Sequence, residues 1–509
     1  MKNKIYILLI FLLALAAVNA VAASDNATDV IQDDVLSADF EEAEALEEDA
    51  SQDVVAVNET VKASSELSAS DVTGYTTFSN DVSVRLTSNG TPLASKAVSI
   101  KINGVTYSRT TDSDGKASVS LTLAKGTYNA EFSFAGDENT NASSATCTIT
   151  IKEAIKTSLK VGDKDINYRQ GSKCLFYVKL VDKNGNPIKN QWVKIKVAGK
   201  TYTVKTNANG NAKIYINLKK GKYKIKYSFA KTSPYLGSSG SFTIKVKSKI
   251  TKGHGYWVWS AHMKKVNLKS LAKKGTKHLF LHVQSISKHG KGAVVSFIKK
   301  AHKYGMKVHL WMQVCCVGEK WTRPVTKTGA LRYGFMNKKI NEAKRYAKIK
   351  GVDGIHFDYI RFGGTAHLYK TSTKAINYFA KKASIELHKI NPNCIVSGAL
   401  MPEPKMMLYY YGQDVPTMSK YMDVLLPMVY KGNYHQKTSW ITSVTKTFVK
   451  QSNGAQIWTG LQSYHSDNNA KKLSQKSLLK DAKAAMKGGA YGVVLFRIGI
   501  SCNFNFKKV

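Results

Sequence analysis

The chain has 509 residues, a formal net charge of +41 at pH 7 and six cysteines. That is too long for one hydrophobic core and too sparse in cysteine for a disulfide-stapled scaffold. The charge is uneven: residues 24–60 hold 13 Asp or Glu and no Lys or Arg, so beyond residue 60 there are 74 basic and 22 acidic side chains, +52. At the N-terminus, Lys2 and Lys4 precede an apolar run from Ile5 to about Ala23 that ends in small residues. This predicts a secretory signal over 1–23 and a secreted or cell-surface protein, the alternative being an uncleaved membrane anchor. For an exported chain an anionic polymer of the cell envelope is a better partner for the basic charge than nucleic acid, the alternative being a Lys-rich solvated surface. Four Asn-x-Ser/Thr sequons, at Asn26, Asn58, Asn89 and Asn141, are compatible with that location. The acidic stretch 24–65 has no hydrophobic periodicity and reads as a disordered spacer.

An internal repeat follows. Gly90, Pro92, Gly104, Gly115, Gly126, Tyr128 and Phe134 recur as Gly185, Pro187, Gly199, Gly210, Gly221, Tyr223 and Phe229, all at an offset of 95. One constant offset over seven positions is the mark of duplication. Each copy contains short alternating runs (AVSIKI, ASVSLTL, YNAEFSF; WVKIKV, AKIYINL, YKIKYSF) separated by Asn-Gly and Asp-Gly turns. The spacing predicts two all-β immunoglobulin-like sandwiches, over 66–154 and 155–250.

From about residue 253 eight apolar runs alternate with Lys-rich amphipathic segments: YWVWS, HLFLHV, KVHLWMQ, GIHFDYI, IVSGALM, VLLPMVY, QIWTGLQSY and GVVLFRIG. Eight strands and seven connecting segments predict an α/β TIM (β/α)8 barrel over 253–509. In such a barrel chemistry sits at the C-terminal ends of the strands. Of ten carboxylates there, Glu342, Glu386 and Asp481 fall on predicted helices, and Asp353 and Asp423 precede strands, which leaves Glu319, Asp358, Glu403, Asp414 and Asp467. Asp358 ends the fourth run, inside an otherwise apolar segment, and Glu403 follows the fifth. Two carboxyl groups at adjacent strand ends are the equipment of a glycosidase, one protonating the leaving oxygen while the other attacks or activates water. Trp257, Trp259 and Trp311 are candidate sugar platforms, with ordinary core packing as the alternative for each. Gln284, Gln313, His356, Arg361, Tyr430, Gln462 and Arg497 are candidate substrate-binding residues near strand ends or in the fourth strand. The histidines show no ligand spacing, so no metal or cofactor is implied.

DGIHFDYIRF (353–362) resembles the D-G-[IV]-x-[FL]-D-Y-[IV]-R-[FY] strand of a group of glycosyl-hydrolase-like barrels of bacteria and archaea. YYGQD and YMDVLLPMVY are similar to the Gly-Gln and D-x-[IVL]-x-P-M-x-Y segments of the same barrels. The repeats resemble those of bacterial and archaeal surface adhesins, and the layout as a whole resembles envelope proteins of methanogenic archaea. The resemblance implies glycoside hydrolysis with Asp358 as the central carboxylate, acting on an envelope polysaccharide such as pseudomurein glycan. ALMPEP, after the fifth run, departs from the family pattern; Asp414 therefore stands beside Glu403 as candidate proton donor. Two alternatives remain: a non-catalytic glycan-binding adhesin, and a cysteine peptidase of wall peptides using Cys315 or Cys316.

Overall fold

A computed structural model describes residues 61–509. The expected signal and residues 24–60 of the expected spacer lie outside the described residues; of its last five, Ala63 bridges Thr140 and the Ser65 hydroxyl donates to the Asn141 carbonyl, so they belong to the first sandwich. Among the described residues no helix is long and apolar enough to cross a membrane.

The first copy of the repeat forms two sheets. One contains Glu66–Ala69, Asn80–Ser88, Thr91–Pro92 and Lys116–Leu121; the other runs Val72–Tyr75, Ser143–Lys152, Gly126–Phe134, Ala97–Ile102, Val105–Thr110. Period-two alternation turns Val98, Ile100 and Ile102 inward against Val82, Val84 and Leu86 of the facing sheet. The second copy repeats this with Thr157–Val161, Cys174–Asp182 and Asn211–Ile216 facing a four-stranded sheet of Lys200–Lys205, Trp192–Val197, Gly221–Phe229 and Ser238–Val246. The duplication extends to single hydrogen bonds. Asp112 accepts from the backbone N–H of Asp114 and Lys116, as Asn207 does from Asn209 and Asn211. Tyr128 donates to the Ala124 carbonyl and Tyr223 to that of Lys219, each at 3.0 Å. Gly115 and Gly210 both take φ +72°, where a Cβ would strike the carbonyl of Leu86 or Leu180.

Each of the eight apolar runs contributes one strand to a closed parallel barrel: β1 Gly255–Val258, β2 His278–His282, β3 Lys307–Gln313, β4 Gly354–Asp358, β5 Ile395–Leu400, β6 Val424–Val429, β7 Gln456–Gln462 and β8 Gly492–Phe496. β8 pairs with both β7 and β1, which closes the ring. Helices α1 Leu268–Lys273, α2 Gln284–His289, α3 Lys291–Lys303, α4 Tyr333–Ala347, α5 Ser372–Ile390, α6 Val415–Met418, α7 Thr438–Gln451 and α8 Gln475–Lys487 lie in the connections. The ring is consistent with a TIM-like barrel. Its helical layer is thin in places: α6 is a single turn, and only a short 3-10 turn, Phe506–Lys508, follows β8.

Alternation in β4 sorts its side chains. Phe357 points outward and meets Phe379 of α5 edge-on at 5.1 Å, while His356 points inward between Trp257 and Phe280. The barrel interior is built of aromatic rings, with Trp257, Phe280, Trp311 and Trp458 all buried. His278 and His309 share a 2.9 Å hydrogen bond in that interior, and burial pushes His278 down to about 3, so it is neutral at any ordinary pH.

The second sandwich is bolted to the base of the barrel by Asp423, one residue before β6. The Asp423 carboxylate accepts from Arg169 at 2.6 and 2.9 Å, Asn167 at 2.7 Å, and the backbone N–H of Val396 at 2.9 Å, with His388 at 3.0 Å. Beside this joint Lys381 of α5 pairs with Asp165 at 2.9 Å.

Candidate active site

Asp358 closes β4 at the C-terminal end of the barrel. The next residue, Tyr359, takes φ +53°, a left-handed conformation that bends the chain out of the strand. The bend lets the Tyr359 N–H donate back to Asp358 Oδ1 at 2.8 Å, while the indole N–H of Trp311, at the end of β3, donates to Oδ2 at 3.1 Å. Burial pushes the Asp358 carboxyl above the ordinary carboxylate value; these two donors and the Arg361 guanidinium pull it partly back.

Asp358 lies in a cleft of about 310 Å3. Five other expected residues line it: Trp259, Trp311, Gln313, Arg361 and Tyr430. So do several that sequence reasoning did not single out for binding, among them Tyr359, Asn433, Tyr434 and Tyr464. Asp467 is also on the wall, where it accepts from the Tyr464 hydroxyl at 2.6 Å and the Asn433 amide at 2.9 Å. It is one of the five carboxylates that position leaves, and its place in a loop beyond β7 conceals from the sequence that it shares a cleft with Asp358.

Glu403 stands behind the wall. It accepts from the hydroxyls of Tyr434 at 2.7 Å and Tyr411 at 3.1 Å, and its second oxygen is buried without a hydrogen-bond partner among the described residues. Burial pushes its carboxyl up, opposed by those two hydroxyls and by Arg361, so one guanidinium acts on both Glu403 and Asp358. The Arg361 guanidinium sits 4.9 Å from the ring of Tyr359 and 5.0 Å from that of Trp321.

The other expected residues lie elsewhere. Asp414 caps α6, accepting from the Thr417 N–H at 3.2 Å and from Asn377 at 3.1 Å; its carboxylate serves a helix start, away from the cleft wall. Trp257 and His356 belong to the barrel interior, where His356 bonds Ser397 at 3.0 Å. Gln284 opens α2 beside a separate surface depression shared with Glu342 and Tyr346. Gln462 is buried and acts indirectly, exchanging hydrogen bonds of 2.8 and 3.2 Å with Asn433. Arg497 follows β8 and lies over Trp259, 5.7 Å from the ring.

All six cysteines are free. Burial pushes the Cys315 thiol up to about 12, and Cys316 is also raised. A thiol held protonated is in the wrong state for a nucleophile.

The Gly-Gln of YYGQD has a positioning role. Gly412 takes φ +67° at the end of a helical turn, and Gln413, fully buried, donates to the carbonyls of Ile360 and Ala399 and accepts from the Met401 N–H at 3.1 Å. It ties the segment after β4 to the end of β5. Gln413→Ala takes the partner from two buried carbonyls and a half-buried N–H, and chemical denaturation is expected to show a loss of about 1–3 kcal/mol. An unchanged midpoint would show that water replaces the amide.

Residues 318–485 match a family model described as "Putative glycosyl hydrolase domain". The match takes in β4 to β7 and with them Asp358, Glu403, Asp414 and Asp467. Residues 165–249, in the second sandwich, match a model described as "Macroglobulin domain MG4". No curated protein matches the chain. Among solved structures, the fibronectin(III)-like modules of Clostridium thermocellum CbhA align at 15% identity over 36% of this chain and 94% of theirs, with a TM-score of 0.24. A β-glucuronidase of Bacteroides uniformis aligns at 8% identity over 82% of this chain, which spans 58% of the enzyme's length, with a TM-score of 0.34. A chitinase of Chromobacterium violaceum aligns at 11% identity over 49% of this chain and 95% of the enzyme, with a TM-score of 0.36.

Proposed function

We propose that the barrel is a glycoside hydrolase acting on a polysaccharide of the cell envelope, with Asp358 as its central carboxylate. The observation that carries this reading is that Asp358 and Asp467 line one cleft, together with Trp259, Trp311, Tyr430 and Tyr434. Aromatic walls suit the apolar faces of sugar rings. In such a cleft one carboxyl group protonates the leaving glycosidic oxygen while the other supplies the attack or activates water. In this assignment Asp358 and Asp467 divide between them the roles of proton donor and of nucleophile or base, and Arg361 and Tyr430 bind substrate. Glu403 reaches the cleft through Tyr434 and is a positioning group, since it fixes that hydroxyl. The family match over 318–485 supports the reaction class. The signal-like N-terminal sequence and the +52 beyond residue 60 favour an anionic envelope polymer, and pseudomurein-type glycan is the first substrate to try.

The test incubates the full chain with pseudomurein-type glycan, bacterial peptidoglycan and chitin and follows new reducing ends. Release from at least one glycan, and none after Asp467→Asn, is expected. If none of the three yields reducing ends while the chain still binds them, the cleft is that of a glycan-binding adhesin.

A further inference from the structure

The two copies of the repeat share a fold and differ in one face. In the first, six of the outward positions, Ser99, Lys101, Thr127, Asn129, Glu131 and Thr150, carry no net charge. At the same offset of 95 the second copy has Lys194, Lys196, Lys222, Lys224, Lys226 and Lys245, a charge of +6, and all six are exposed. None of the four strands of that sheet contains an Asp or Glu, and the chain has no acidic residue between Asp182 and Glu319.

Register makes the change costly to the sheet. In the first copy Lys101 lies directly opposite Glu131, and Thr127 opposite Thr150, two favourable cross-strand pairs. The equivalent pairs in the second copy are Lys196 opposite Lys226 and Lys222 opposite Lys245. Like charges directly opposite destabilise a sheet, so folding does not account for them. The same face gains an aromatic ring: Trp192, 59% exposed, replaces Ala97, and the Lys205 ammonium sits 5.6 Å from its centre.

We propose that this sheet face is a docking surface for a linear, carboxylate-bearing polysaccharide. Lys222, Lys224 and Lys226 repeat at about 7 Å along one strand, with flanking rows about 4.8 Å away, which forms a grid for spaced negative charges. Trp192 at its edge offers a flat platform to a sugar ring. The grid itself points to a polyanion; the choice of a polysaccharide rests on the glycosidase reading of the barrel, whose polymer this face would retain.

The measurement is binding of the full chain to polygalacturonate, with dextran and a single-stranded oligonucleotide as comparisons, across a range of salt. The variant K194S/K222T/K224N/K226E/K245T installs residues that the first sandwich already carries at the same places. Polygalacturonate is expected to bind in preference to dextran. The variant should bind it at least about tenfold more weakly at moderate salt, with a shallower dependence of log affinity on log salt. Should the fivefold variant fail to fold, K222T/K245T removes one like-charge pair and is expected to weaken binding about threefold by the same electrostatic logic. Equal affinity and salt slope in wild type and variant overturn the proposal, as does an oligonucleotide bound tenfold tighter than polygalacturonate. Binding is read without hydrolysis, so a barrel that cleaves nothing leaves this result intact.

Discussion

Asp358→Asn is expected to lower the rate of glycan hydrolysis by about 10^3-fold, within the 10^2–10^4 range for loss of a positioned acid–base group. Both partners of Asp358 are donors, the Tyr359 N–H and the Trp311 indole N–H. A carboxylate serves both, whereas an amide serves one and turns its NH2 against the other, so the same substitution should destabilise the barrel by about 1–3 kcal/mol. The double variant Asp358→Asn with Trp311→Phe removes the opposing donor. It should recover part of the stability and none of the rate. Asp414→Asn is the control, because asparagine caps a helix as well as aspartate does and the rate should stay at the wild-type level. Recovery of rate in the double variant, or a loss with Asp414→Asn matching that with Asp358→Asn, would remove Asp358 from the chemistry.

Arg169→Ala is expected to be the most destabilising change outside the barrel interior. Burial alone would push the Asp423 carboxyl up, yet Arg169, His388 and Lys247 together hold it well below the ordinary range. Removing the guanidinium strands a buried carboxylate, at about 3–5 kcal/mol. A depressed folded-state value means that Asp423 contributes stability above the unfolded value, near 3.8, and loses it as pH falls through the folded one. Wild type should therefore lose stability below about pH 4. In Arg169→Ala the folded value rises, that acid-dependent loss shrinks, and the deficit relative to wild type is largest near neutrality. Denaturation curves at pH 3 and pH 7 decide it: a deficit equal at both would show that Arg169 acts by packing alone.

Local and periodic features carried much of the sequence reading. The eight barrel strands stood out because each is an apolar run bounded by polar helical segments, and the duplication because its turns require glycine at fixed places. Asp358 stood out because a carboxylate in the apolar segment 354–360 costs too much to be incidental. What stayed hidden depends on pairs far apart in the chain. Asp423 was placed correctly before a strand, but its partner Arg169 is 254 residues away in another domain. Asp467 enters the cleft from a loop after β7, held by Asn433 from the loop after β6. No spacing rule links such residues. Trp257 and His356 show the converse: their place on predicted barrel strands made them candidates, but both lie in the buried aromatic core of the barrel.

The bolt at Asp423 also has a mechanical meaning. It joins the second sandwich to the end of the barrel where strands begin, and β1 enters from that same end, whereas the cleft opens where strands finish. A pull on the sandwiches is thus taken up by a charged rivet and a chain entry on the far side of the barrel, one barrel-length from Asp358. A load applied through the second sandwich therefore meets the barrel at the end opposite the Asp358 cleft.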